Sequence, residues 1–198
     1  MKTREFVRGY LMELVERVGE FDMEKFEKIA TLVGLAAAQG KQIFVFGNGG
    51  SAATASHLAA DLNFVAGRKL KKKFKVLCLN DNIPTMLAIA NDTEYNNVFS
   101  TQLQNFLRPG DLVIGISGSG NSENVLRALR LAKAEEATTI GITGFDGGVL
   151  ARIVDFSFIA LGDSMQIVED QHLIFCHMLM LFLFSVDAGF AHFTKEKK

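Results

Sequence analysis

Residues 110–129 read GDLVIGISGSGNSENVLRAL, and this stretch decides the fold. It opens on a turn-like Gly-Asp and runs through the apolar segment LVIGIS at 112–117. It then passes into the small residues Ser117, Gly118, Ser119, Gly120, Asn121 and Ser122 before helix-like sequence resumes. A continuous apolar run that is too short for a helix and ends in turn residues reads as a strand covered on both faces. The same pattern stands at QIFVFG, 42–47, which leads into Gly47, Asn48, Gly49, Gly50, Ser51, Ala52 and Ala53 and then a helix. KVLCLN (75–80), TTIGIT (138–143) and FSFIAL (156–161) repeat it, with helix-like sequence between. Strands of this kind alternating with helices specify an α/β fold: a doubly wound five-stranded parallel sheet flanked by helices.

Working outward, residues 40–162 form the expected sheet core. Residues 3–38 read as a helical hairpin. Leu11, Leu14, Val15 and Val18 share one face of its first helix. Phe26, Ile29, Ala30, Leu32 and Val33 share a face of the second. Gly19 to Asp22 is the break, Asp22 is placed to cap the second helix and Gly40 to stop it. A long helix over 164–190 closes a single domain, 1–198. The charge run RKLKKK at 68–73 reads either as a solvated loop or as a basic rim that attracts an anion.

Composition bounds the function classes. The chain has 198 residues, is 48% apolar, and sets 21 Lys and Arg against 22 Asp and Glu for a net charge of −1. That length buries a core without disulfides, and the balance gives no global electrostatic case for nucleic acid or an anionic membrane. Cys78 and Cys176 sit in apolar runs and read as buried thiols in a reducing compartment, so a cytoplasmic location is expected. The N-terminus is charged throughout and lacks the apolar core of a signal peptide. LIFCHMLMLFLF, 173–184, is the most membrane-like stretch. At a dozen residues it falls short of the roughly 20 that a span requires, so it is expected in the core or a subunit interface.

Two strand ends carry the chemistry. Small residues let backbone N–H groups approach an anion, helix N-termini add free donors and a favourable dipole, and serine hydroxyls add more donors. Neither loop has the Gly-Lys-Ser/Thr of a P-loop or the G-x-G-x-x-G spacing of a dinucleotide site. His57 and Asp61 are spaced i, i+4 and share a helix face. Glu169 and His177 lie eight residues apart on the closing helix, roughly 80° and two turns from each other. Two imidazoles and two carboxylates suit a divalent metal such as zinc, and a carboxylate paired with a histidine suits proton transfer in aldose–ketose isomerisation. His172 is a further possible ligand, and His192 lies near the tail.

GDLVIGISGSGNSENVLRAL resembles the phosphate loop of sugar isomerase domains, and GNGGSAATASHLAADL (47–62) resembles the first loop and helix of the phosphoheptose isomerases among them. AIANDTEYNNVFSTQL (88–103) and GITGFDGGVLA (141–151) fit the same branch. The resemblance implies conversion of sedoheptulose 7-phosphate to a heptose 7-phosphate by a homotetramer with sites at subunit junctions, often with zinc. It implies substrate contacts at Asn48, Gly49, Gly50, Ser51, Asn91, Asp92, Gly118 and Glu169, with Ser117, Ser119 and Ser122 on the phosphate. His57, Asp61, Glu169 and His177 would form the metal set, with Asp61 and His177 catalytic. The chain departs from the branch at three positions: Asp61 where Glu is usual, Glu169 where Gln is usual, and Gly118 where a hydroxyl residue is common. Two other classes stay open: a tetrameric protein that binds the replication initiator, and a sugar-phosphate sensor. The acid retained at Asp61 favours the enzyme.

Overall fold

The computed structural model describes residues 2–66 and 73–187. Eight α-helices and five strands are found among the described residues. The N-terminal hairpin is α1 (Thr3–Gly19) and α2 (Met23–Ala38). Asp22 caps α2 as its sequence position suggests, its carboxylate accepting from the Lys25 amide at 3.0 Å, and Gly40 follows the helix with φ +66°. Next come β1 (Gln42–Gly47), α3 (Gly49–Ala60), a π-helical turn (Asp61–Ala66) and β2 (Lys75–Cys78). The crossover from β2 is broken into α4 (Ile83–Asp92), a 3-10 turn (Tyr95–Asn97) and α5 (Ser100–Phe106). The chain continues through β3 (Leu112–Ser117), α6 (Glu123–Ala134), β4 (Thr138–Gly144), α7 (Leu150–Ile153), β5 (Phe156–Ala160) and α8 (Met165–Asp187). The second strand is two residues shorter than the apolar pattern: the Leu79 amide still donates to the Val45 carbonyl, and the chain then turns so that the Asn80 side chain accepts from the Gly47 amide. The basic run at 68–73 lies outside the described residues apart from Lys73.

The sheet is parallel throughout, in the order β2-β1-β3-β4-β5. Alternation along β1 explains the two layers. Ile43 and Val45 face a core shared with α2, α3 and α8, while Phe44 and Phe46 face a core shared with α5, α6 and α7. Phe158 is stacked on Phe175 of α8 with centroids 4.3 Å apart and meets Phe21 edge-on at 4.9 Å. Fully burying an aromatic or aliphatic side chain stabilises by about 1.5–3 kcal/mol, so this file of rings does much to seat α8 on the sheet. The chain leaves β1 to one side for β2 and returns past it to β3. Ligands of open α/β sheets bind at such a reversal, outside the carboxyl ends of the strands, and both Gly/Ser loops stand there.

Two helices keep apolar surface uncovered. None of the residues of α1 is buried, and Leu11 and Val15 are 56% and 73% exposed. Of the stripe expected on that helix, only Val18 packs against this chain's core, and Leu11 and Val15 stay outside it. The apolar part of α8 is also longer than the dozen residues its composition marks. Met165–Ser185 spans 21 residues at mean hydropathy 1.5, long and apolar enough to cross a membrane by length and composition, with 39% of the window buried. Within the chain it packs against α1, α2, α3, β4 and β5.

Candidate functional site

The loop after β3 is held open by its own serines. Ser117 is 4% exposed, and its hydroxyl donates to the Ser122 hydroxyl at 3.0 Å. Ser122 is the N-cap of α6 but makes no side-chain cap bond. Ser119 is exposed, and its hydroxyl accepts from the Asn121 amide at 3.2 Å. Asn121 in turn accepts from the Val149 amide at 3.1 Å, and the Gly118 carbonyl accepts from the Gly144 amide at 2.9 Å. The loop is thus stapled to the turn after β4. Gly118 is explained by its neighbour: a Cβ there would stand 2.4 Å from the Sδ of Met165, so the thioether fills the space a larger residue would need.

Asn48 caps α3 by backbone geometry, also with no side-chain cap bond. Asp22 and Asn82, by contrast, cap α2 and α4 with their side chains. The two helices that start at the Gly/Ser loops therefore have no N-cap side chain on their first amides, and in α6 only the third of these amides, Val125, is taken, by the Asn124 side chain. Gly49 and Gly50 are exposed, and Ser51 is buried at the first turn. A Cβ on Gly50 would lie 2.4 and 2.6 Å from the two carboxylate oxygens of Glu169. Glu169 thus lays its carboxylate over the start of α3, where the helix dipole favours negative charge.

Farther along α3, His57 Nε2 lies 3.4 Å from Asp61 Oδ2 and 3.3 Å from His177 Nε2. The three offer one ligand atom each, all within 4.8 Å of one another. Asp61 is the more enclosed of the two α3 side chains, 16% exposed against 46% for His57. It starts the π-helical turn, a rare geometry that recurs at functional sites. Glu169 is not part of this group. Eight residues of helix, a rise of roughly 12 Å, separate it from His177, so the structure brings three of the four expected ligands together and sets the fourth at Gly50. Two imidazole nitrogens and a carboxylate fit a divalent ion with an open position.

His172 does not substitute for these residues. It is fully buried, and its Nε2 bonds the Thr143 carbonyl of β4 at 3.0 Å. Burial pushes its pKa down to about 4, against a smaller upward pull from the Thr143 bond, so it is a neutral packing residue. Burial likewise raises Cys176 to about 12, with a lesser contribution from Asp61, and Cys78 to about 11. Both thiols are inert at neutral pH. His192 lies outside the described residues.

A cleft of about 260 Å³ opens beside Asn48 and Gly49, walled by Ile83, Met86, Leu87 and Ala90 of α4 and by Tyr95. Asn91 and Asp92 do not line it. They stand exposed at the far end of α4, bonded to each other at 2.8 Å. Two polar residues absent from the sequence reading do belong to the site. Tyr95 donates to Asn48 Oδ1 at 2.9 Å, and Asn124, only 2% exposed, pairs with the Asn48 amide. The available signal was an asparagine at a position where α6 is otherwise apolar.

Residues 8–144 match the SIS domain family. The chain belongs to that family. Within it, the chain lies on the phosphoheptose isomerase branch. It is 38% identical over 174 residues to a probable phosphoheptose isomerase of Thermoplasma acidophilum, covering 87% of this chain and 94% of the relative. It is 38% identical over 168 residues to a phosphoheptose isomerase of Geotalea daltonii, covering 84% and 86%. The structure of the Neisseria gonorrhoeae phosphoheptose isomerase superposes with a TM-score of 0.84 at 27% identity, over 93% of this chain and all of that one. A phosphoheptose isomerase from Francisella tularensis shares the fold with a TM-score of 0.86 at 21% identity, again over 93% of this chain and all of that one. In this SIS domain the two Gly/Ser loops stand at the carboxyl ends of β1 and β3, and the α3 histidine meets the α8 histidine farther along α3.

Proposed function

We propose that this chain is an aldose–ketose isomerase that converts sedoheptulose 7-phosphate to heptose 7-phosphate. The observation that carries the reading is the meeting of His57 and Asp61, at the far end of the helix that begins at one of the two uncapped loops, with His177 of α8. Ser117, Ser119 and Ser122, with the free amides at the start of α6, bind the phosphate. Asn48, Gly49, Gly50 and Ser51 bind sugar hydroxyls, with Gly118 shaping the phosphate loop and Glu169 accepting from a hydroxyl at the α3 terminus. Asn91 and Asp92 complete the contacts from a neighbouring copy, since neither lines the cleft of its own chain.

With no metal bound, the Asp61 carboxylate removes the proton from C1 of the ketose, and His177 gives a proton to O2, forming the enediol. Returning a proton to C2 and taking one from O1 yields the aldose. His57, Asp61 and His177 would hold a divalent metal, zinc by donor type, which when bound stabilises negative charge on the sugar oxygens. His57 then serves to hold Asp61 in orientation. The protein is a cytoplasmic homotetramer in this reading. Support comes from two buried cysteines that form no disulfide and from the uncovered apolar stripes of α1 and α8.

The test is incubation with sedoheptulose 7-phosphate, with and without zinc, following the aldose. Asp61→Asn and His177→Ala each should lower turnover at least 100-fold while leaving the unfolding midpoint within a few degrees. Near-full activity in both variants overturns the assigned chemistry. Binding without turnover of any C5–C7 ketose phosphate would make the protein a sensor, and specific capture of a replication initiator would place it with the initiator-binding relatives.

A further inference from the structure

The first turn of α6 carries a polar side chain that no part of the proposed chemistry uses. Asn124 is two residues past Ser122, and its side chain is 2% exposed. Its amide forms a closed pair with that of Asn48. Asn48 Nδ2 donates to Asn124 Oδ1 at 2.9 Å, and Asn124 Nδ2 donates to Asn48 Oδ1 at 2.9 Å. Amide orientation is fixed at both ends. Asn124 Oδ1 also accepts from the Val125 amide at 3.0 Å, and Asn48 Oδ1 also accepts from the Tyr95 hydroxyl at 2.9 Å. Flipping either amide would set donor against donor. Both oxygens are then fully used, and each Nδ2 spends one hydrogen in the pair. Asn48, half-buried at the mouth of the cleft, keeps its second Nδ2 hydrogen for a ligand.

Tyr95 is itself anchored. Arg127, one turn beyond Asn124, pairs with Glu94 and donates to Asn97 at 3.0 Å. The rim of the cleft and the first turn of the phosphate-loop helix are therefore one bonded unit. We propose that Asn124 is a positioning residue that transmits occupancy of the 117–122 loop to Asn48. An anion on that loop draws on the first amides of α6, and the backbone of Asn124 belongs to that turn. A shift of the turn moves the paired amides together and aims the free Nδ2 hydrogen of Asn48 at the sugar. The inference rests on the isomerase reading only for the identity of the sugar. The coupling itself needs no turnover.

The experiment compares wild type, Asn124→Leu and Asn124→Asp. Leucine removes the pair with little change in volume. Aspartate keeps the acceptor for Asn48 Nδ2 and loses the donor to Asn48 Oδ1, so it decides the matter if the leucine variant fails to fold. With sedoheptulose 7-phosphate, kcat should fall about 10- to 100-fold in Asn124→Leu and less in Asn124→Asp, in keeping with the effect of small misplacements on oriented reactions. The Kd for inorganic phosphate should stay within about twofold, which a collapsed loop would not allow. In asparagine-labelled protein, inorganic phosphate should shift the Asn48 side-chain amide resonance, identified by its loss in Asn48→Asp, in wild type and not in Asn124→Leu. A kcat within twofold of wild type, or an Asn48 amide that still answers to phosphate in that variant, overturns the proposal. A wild type that turns over no sugar phosphate overturns the isomerase reading instead, and the resonance shift still decides the coupling.

Discussion

Lowering the pH should unfasten α8 from the sheet through His172. The ring is fully buried, its Nε2 bonds the Thr143 carbonyl, and its Nδ1 has no partner among the described residues. Burial lowers its pKa from 6.5 to about 4. As pH falls, the unfolded chain takes up a proton at 6.5 while the folded chain does not until about 4, so the unfolded state binds more protons in that window and stability drops with pH. At about 1.4 kcal/mol per pH unit, the loss from this one ring is about 1 kcal/mol by pH 6, about 2 by pH 5 and about 3 by pH 4. His172→Gln is the control, since the amide can still donate to Thr143 and does not titrate. Urea unfolding of both proteins at fixed concentration, followed by far-ultraviolet circular dichroism between pH 7 and 4, isolates the term as the difference between them. Wild type should lose about 3 kcal/mol more than the variant over that range. Parallel loss in the two proteins would refute the reasoning, because the ring would then not be held neutral.

Gly118→Ser should destabilise by about 1–3 kcal/mol through collision with Met165, and Met165→Ala in the same chain should recover most of it. Additive effects in the double variant, read by denaturant midpoints, would show that the thioether is not what excludes a side chain at 118. Phe158→Ala should cost about 3–5 kcal/mol, because the ring touches both Phe21 and Phe175. A midpoint within 2 °C of wild type in a thermal scan would be roughly three to ten times too small a change for that loss.

How much was legible in advance follows from range. Strand positions, the helical hairpin and the two loops are local patterns of period and turn residue, and all are where the sequence places them except that β2 ends two residues early. The pairing of His57 with Asp61 is likewise local, one helical turn. Contacts across the fold were less accessible. His57 and His177 meet from 120 positions apart, and only a family likeness suggested it. Nothing in residues 163–172 says that His172 turns inward to β4 while Glu169 turns to Gly50, because neighbouring polar residues at a helix start differ by rotation about the axis alone. Asn124 was missed for the same reason: its value lies in an amide partner 76 residues away. The uncovered face of α1 shows the converse, where an apolar stripe was readable and its burial within the chain was not.

The strand order bears on how the molecule is made. β1 is joined on one side to β2 and on the other to β3, whose first register pair with it, Ile43 and Leu112, is 69 residues apart. During synthesis, the leading half-sheet therefore waits with one edge bare until residue 117 has left the ribosome, and non-local pairing of this kind is slow. The loops are complete only after residue 124, and the histidine pair only after residue 177. No metal ion held by both histidines can steady the growing chain before α8 arrives. Such an ion acts only on finished protein, protecting it from unfolding by mass action, and the bare β1 edge is what a nascent chain would have to shield from its neighbours.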